Sequence, residues 1–147
     1  MDFLIIVCNL VFLLVFAAFD LFNRRIIPNY LTIAYVLLSV ASLFFRQNLL
    51  PYVLGFVEFC LVLLVVWGYS KFRGIKLFNA IGGADVKVFL GLSINSGVFV
   101  FNFAILISSF LGIAFGVIFK KRRIPLFPFL FFGYLLAVTF LFLEERF

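Results

Sequence analysis

The stretch "NAIGGADVKVFLGLS", residues 79–93, sets two glycines, Asp85 and Lys87 at the mouth of an apolar run. The whole chain has only six carboxylates in 147 residues, and 67% of it is apolar. An ionised side chain inside a membrane span is costly, by about 2.5–3.5 kcal/mol even on lenient scales. Such a residue persists when it is paired, hydrated or useful. Whether Asp85 stands in a membrane at all depends on the sequence around it.

That sequence has the composition of a membrane protein. Mean hydropathy is +1.31. Charged residues make up 12%, where soluble domains carry about 25%. The expected fold class is an all-α integral membrane bundle, with residues 1–147 forming a single transmembrane domain. The net charge of +6 reads as basic loops on one side of a membrane. The basic residues lie in short clusters between apolar runs rather than on one face, so no nucleic acid is expected as a partner. Cys8 and Cys60 fall inside apolar runs, and there is no His. No metal site is expected from them. The run from Phe3 has Asp2 as its only early charge, which reads as a retained first helix rather than a signal peptide.

A span needs about 20 apolar residues. Working outward from Asp85, this predicts six transmembrane helices, at 3–22, 29–45, 51–70, 83–95, 98–119 and 126–143. Arg24, Arg25, Lys71, Arg73, Lys76, Lys120, Lys121, Arg122 and Arg123 then fall at one set of helix ends. Arg46 and Arg146 fall at the other, with Asp2, Glu144 and Glu145. The positive-inside rule puts the first set in the cytoplasm and both termini outside.

This orientation gives Asp85 a companion. Helix 1 runs inward and carries Asp20 near its cytoplasmic end, while helix 4 runs outward and carries Asp85 near its cytoplasmic start. The two carboxylates are expected at similar depth, close together if those helices pack. Two carboxylates held close share a proton. One can take a proton from water while the other protonates a peptide carbonyl. That is aspartic-protease chemistry, and it needs no metal, cofactor or nucleophilic side chain. Gly82 and Gly83 suit the close approach of a substrate backbone, or a turn with φ > 0.

Blander readings stand beside this one. Asp85 also suits a helix N-cap or first-turn acid. Asp20 also suits an i,i+4 partner for Arg24. Lys87 is read as snorkelling to the headgroups or balancing an Asp. Pro28 and Asn29 form the turn that starts helix 2. Glu58 and Asn102 are placed at similar depth towards the outer side, where a polar contact between them or a proton pathway is the reading.

Four stretches in order carry a family resemblance: Asp20, "RRIIPNYLT" (24–32), "GGADVKVFLGLS" (82–93) and "IPLFPFLFFG" (124–133). Together they resemble the type IV prepilin leader peptidases, including the short bacterial members and the archaeal preflagellin peptidases. Position 84 is Ala where many members have Gly. The resemblance implies a multi-pass aspartic endopeptidase of the prokaryotic cytoplasmic membrane, with its active site facing the cytoplasm. It implies Asp20 and Asp85 as the catalytic pair, with Gly82, Gly83 and Ala84 at the substrate backbone and Lys87, Arg24, Pro28 and Asn29 near the site. The expected substrates are pilin-like precursors cut after class III signal peptides. Methyl transfer is not expected, because the cysteine-bearing module of the longer members is absent here. The alternatives are a small ion-coupled transporter and a non-catalytic pilus-assembly subunit.

Overall fold

The structure, a computed structural model, describes residues 2–22, 27–76, 82–120 and 125–144. Among these it contains five helices and no strand. They are α1 (Asp2–Phe22), α2 (Asn29–Leu43), α3 (Leu50–Arg73), α4 (Gly83–Phe119) and α5 (Leu126–Glu144).

Five elements thus stand where six helices are expected. The stretches predicted at 83–95 and 98–119 are two helical arms that run into one another across a kink at non-helical Gly97, at φ 73 and ψ 166, and together they form α4. A full loop is unnecessary because one glycine absorbs the bend, and φ > 0 carries no steric penalty where there is no Cβ. The six spans are corrected too. Among the described residues, the helices long and apolar enough to cross a membrane are four: Phe3–Phe22, Leu50–Arg73, Gly83–Phe119 and Leu126–Leu143. The 15-residue α2 is about 22 Å long, short of a hydrocarbon core of about 30 Å. It stops at Leu43 because the next turn tightens. Phe44, Phe45 and Arg46 donate their N–H groups to the carbonyls three residues back, at 3.3, 3.1 and 3.1 Å.

The chain divides into two compact units, one of residues 1–27 and 99–147, the other of residues 28–98. In the second unit, α2, α3 and the first part of α4 meet at small residues. A Cβ on Gly91 would lie 2.6 Å from Tyr35 Cε1, and one on Gly55 would lie 2.7 Å from the Ser93 carbonyl oxygen. Without a hydrophobic drive between helices in lipid, such close backbone approach is what packs them. Two polar contacts also join these faces. Ser42 Oγ donates to Asn95 Oδ1 at 2.7 Å, and Arg46 Nη2 donates to the Asn95 carbonyl at 2.9 Å. Asn95 lies two residues before Gly97, where helical carbonyls lose their partners and a cation is favoured.

α3 opens with Pro51 in its first turn and ends on Gly74 in the left-handed conformation. Both are where helix ends tolerate them. Its last turns carry paired aromatic and basic side chains. Lys71 Nζ lies 5.7 Å from the Trp67 ring centre and the Arg73 guanidinium 5.7 Å from that of Tyr69. Such amphipathic pairs suit the headgroup layer at a membrane boundary.

The first unit is built on α1 against α5. Asn9 Nδ2 donates to Tyr134 Oη at 2.9 Å, both side chains fully buried. The Phe16 and Phe127 rings stand 5.9 Å apart. The later part of α4 joins them through Phe103 and Phe140, whose stacked rings are 5.8 Å apart. Gly133 lets the Ala104 carbonyl approach to 2.5 Å from where a Cβ would stand.

Candidate active site

α4 begins behind the two glycines, as the sequence implies. The first intrahelical bond runs from Val86 N–H to the Gly82 carbonyl at 3.1 Å. Gly82 is therefore the N-cap and Asp85 the third helical residue. An acid at that position reaches back over the helix start, and the exposed N–H groups and helix dipole favour its negative charge. Asp85 does reach back: a Cβ on Gly82 would be 2.7 Å from its Oδ2 and 3.3 Å from its Cγ. This corrects one expectation. Gly82 does not take φ > 0; it is the missing side chain, not a left-handed backbone, that makes room for the Asp85 carboxylate. Gly83 and Ala84 form the first turn, both half-buried.

The same end of the unit carries the start of α2. Pro28 precedes the helix at φ −58 and ψ 130, the extended conformation of an N-cap. Its carbonyl accepts from Leu31 N–H at 3.1 Å. Asn29 opens the helix, and its Oδ1 accepts a hydrogen bond from Lys87 Nζ. Lys87 thus ties the beginning of α4 to the beginning of α2. Asp85, Lys87, Asn29 and Pro28 are brought to one end of one unit. Arg24 lies outside the described residues.

Asp20 belongs to the other unit. It stands two residues before the end of α1 and is 7% exposed. Its Oδ2 accepts a hydrogen bond from the backbone N–H of Phe127 at 3.1 Å. Phe127 is the second residue of α5, where the N–H groups have no partner within the helix. The carboxylate therefore closes the N-terminus of a different helix. Pro125 and Pro128 flank this donor. Proline suits a first turn, where its missing N–H is not needed. From sequence, "PLFPF" reads as a helix opening or a kink. That its Phe127 amide reaches Asp20, 107 positions away, has no local signal. Glu58 is half-buried and Asn102 exposed; they belong to different units, as do Asp20 and Asp85.

Both aspartates therefore sit at the beginnings of helices, Asp85 on its own and Asp20 on α5. The family model of the type IV leader peptidases matches residues 7–117, most of the chain and both aspartates. The chain belongs to the type IV leader peptidase family. No individually curated protein and no solved structure matches it. Membership makes it a membrane protease of a generally aspartic class, with proteins as substrates. The peptidase match ends at residue 117, before the stretch that supplies the Phe127 amide.

Proposed function

We propose that this peptidase is an endopeptidase that removes class III signal peptides from pilin-like or archaellin-like precursors, with Asp20 and Asp85 as its catalytic pair. The observation that carries the reading is the family match across both aspartates, each of which is seated at a helix N-terminus. The basic residues that precede or follow both aspartates in the sequence support an active site on the cytoplasmic side of the cytoplasmic membrane. The substrate's basic leader then stays in the cytosol and its apolar segment lies in the bilayer.

The chemistry follows from two carboxyl groups sharing one proton. Water lies between them and the scissile carbonyl. The ionised carboxyl takes a proton from water as its oxygen bonds to the carbonyl carbon, and the protonated one gives its proton to the carbonyl oxygen. The tetrahedral intermediate then breaks its C–N bond: the leaving amine takes a proton from one carboxyl, and a hydroxyl of the intermediate returns its proton to the other. Atoms and charge balance without another group. Gly82 and Ala84, small and beside Asp85, leave space for the extended substrate backbone.

The experiment is cleavage of a prepilin-like peptide by solubilised protein, comparing wild type with Asp20→Asn and Asp85→Asn. Loss of cleavage in both folded variants is expected. Cleavage surviving in either one removes that residue from the mechanism.

A further inference from the structure

The fourth motif stretch, 124–133, has no role in the catalytic reading so far, and the family match does not reach it. Its most distinctive contact is the one from Phe127 to Asp20. Two features of Phe127 meet α1. Its ring, 3% exposed, stands 5.9 Å from the Phe16 ring, and its backbone N–H donates to Asp20 Oδ2 at 3.1 Å. Phe16 and Asp20 are four residues apart, so they lie one turn apart on the same face of α1. One residue of α5 is thus fastened to that face twice, by an apolar ring and by a hydrogen bond to the carboxyl group, which is directional.

The sequence around Phe127 protects this arrangement. Pro128 has no N–H, so the first turn of α5 offers few donors, and the Phe127 N–H is one that reaches Asp20. A backbone donor on a helix whose ring is keyed into a neighbour cannot swing away as a side-chain donor can. It holds one oxygen of the carboxylate and so sets the plane of the group.

We propose that Phe127 is a positioning residue for the reaction: its ring docks on Phe16, and its backbone amide holds the Asp20 carboxylate in the orientation that attack by water requires. This inference rests on the reading of Asp20 as catalytic. It gives the "PLFPF" turn a function in catalysis rather than in packing alone.

The test replaces the Phe127 amide by an ester, using the corresponding α-hydroxy acid in the full-length chain. The ester keeps the ring and removes only the N–H. A matched ester at Leu136, on an exposed part of α5 (50% exposed), controls for a backbone substitution in the same helix. The Phe127 ester is expected to lower kcat by about a hundredfold, the scale of a small misplacement of a reacting group. KM should stay unchanged, and the melting temperature should match that of the Leu136 ester. A purely structural contact gives another pattern, a loss of folded protein with no selective fall in kcat, and that pattern overturns the proposal. So does a kcat no lower than in the Leu136 ester. If Asp20→Asn cleaves like wild type, the catalytic reading of Asp20 fails and takes the positioning role with it. If Asp20→Asn is inert while the Phe127 ester keeps full kcat, only the positioning role fails.

Discussion

Phe127 donates its backbone N–H to Asp20 Oδ2 across 3.1 Å, joining two residues 107 positions apart. The contact gives Asp20 two separable tasks, closing a helix terminus and carrying a proton. Asn performs the first and not the second, because its amide oxygen accepts a hydrogen bond but its side chain does not ionise.

Asp20→Asn is therefore expected to fold normally and to lose cleavage, whereas Asp20→Ala loses cleavage and stability together. The stability loss expected for Ala is about 1 kcal/mol, the usual effect of removing a capping acceptor. Thermal unfolding in detergent, run beside the cleavage assay, separates the two variants. Equal melting of Asp20→Ala and wild type would remove the capping role.

Gly82→Ala tests the space beside the other aspartate. The new Cβ would stand 2.7 Å from Asp85 Oδ2, so the carboxylate has to move. Cleavage should fall by about tenfold or more, because displacement of a reacting group weakens catalysis steeply. The melting temperature should hardly change, since Gly82 is exposed. Wild-type kcat in this variant would mean that Asp85 works in a different position.

Gly97 and Gly91 are both glycines of α4, but for different reasons. Gly97 needs φ 73, and its nearest prospective neighbour, Pro51 Cβ, is an ordinary 3.4 Å away. Gly97→Ala should cost about 1–3 kcal/mol from backbone conformation alone, because φ 73 with ψ 166 is a region essentially reserved for glycine. Gly91 has no unusual φ but faces Tyr35 ring carbons at 2.6 and 2.7 Å. Gly91→Ala should cost about 1–3 kcal/mol by overpacking. Shrinking Tyr35 to Leu in the Gly91→Ala background should recover part of that loss. No such recovery would show that the ring is not the obstacle.

Tyr134→Phe removes the hydroxyl that accepts from buried Asn9. Hydrogen bonds between membrane helices average about 0.6 kcal/mol, so a small fall in melting temperature is expected, with cleavage retained. A large loss of cleavage at unchanged stability would draw the Asn9–Tyr134 pair into the mechanism.

Composition and short-range pattern carried a large part of this. A mean hydropathy of +1.31 leaves the chain few options but apolar helices. The starts of α3 and α5 follow from Pro51 and Pro125, because those signals act within a turn or two of backbone. Asp20 and Asp85 stand out in the sequence because acids are rare in apolar runs and costly there. Other features were beyond its reach. The break between residues 95 and 98 is legible, but not that Gly97 alone makes it, at φ 73 and ψ 166. Lys87 has several plausible partners by distance along the chain, and folding selects Asn29, 58 positions away. The Phe127 amide is the plainest case. Every residue but proline carries the same backbone N–H, so no residue type advertises which one will reach Asp20; only the packing of α5 on α1 selects it.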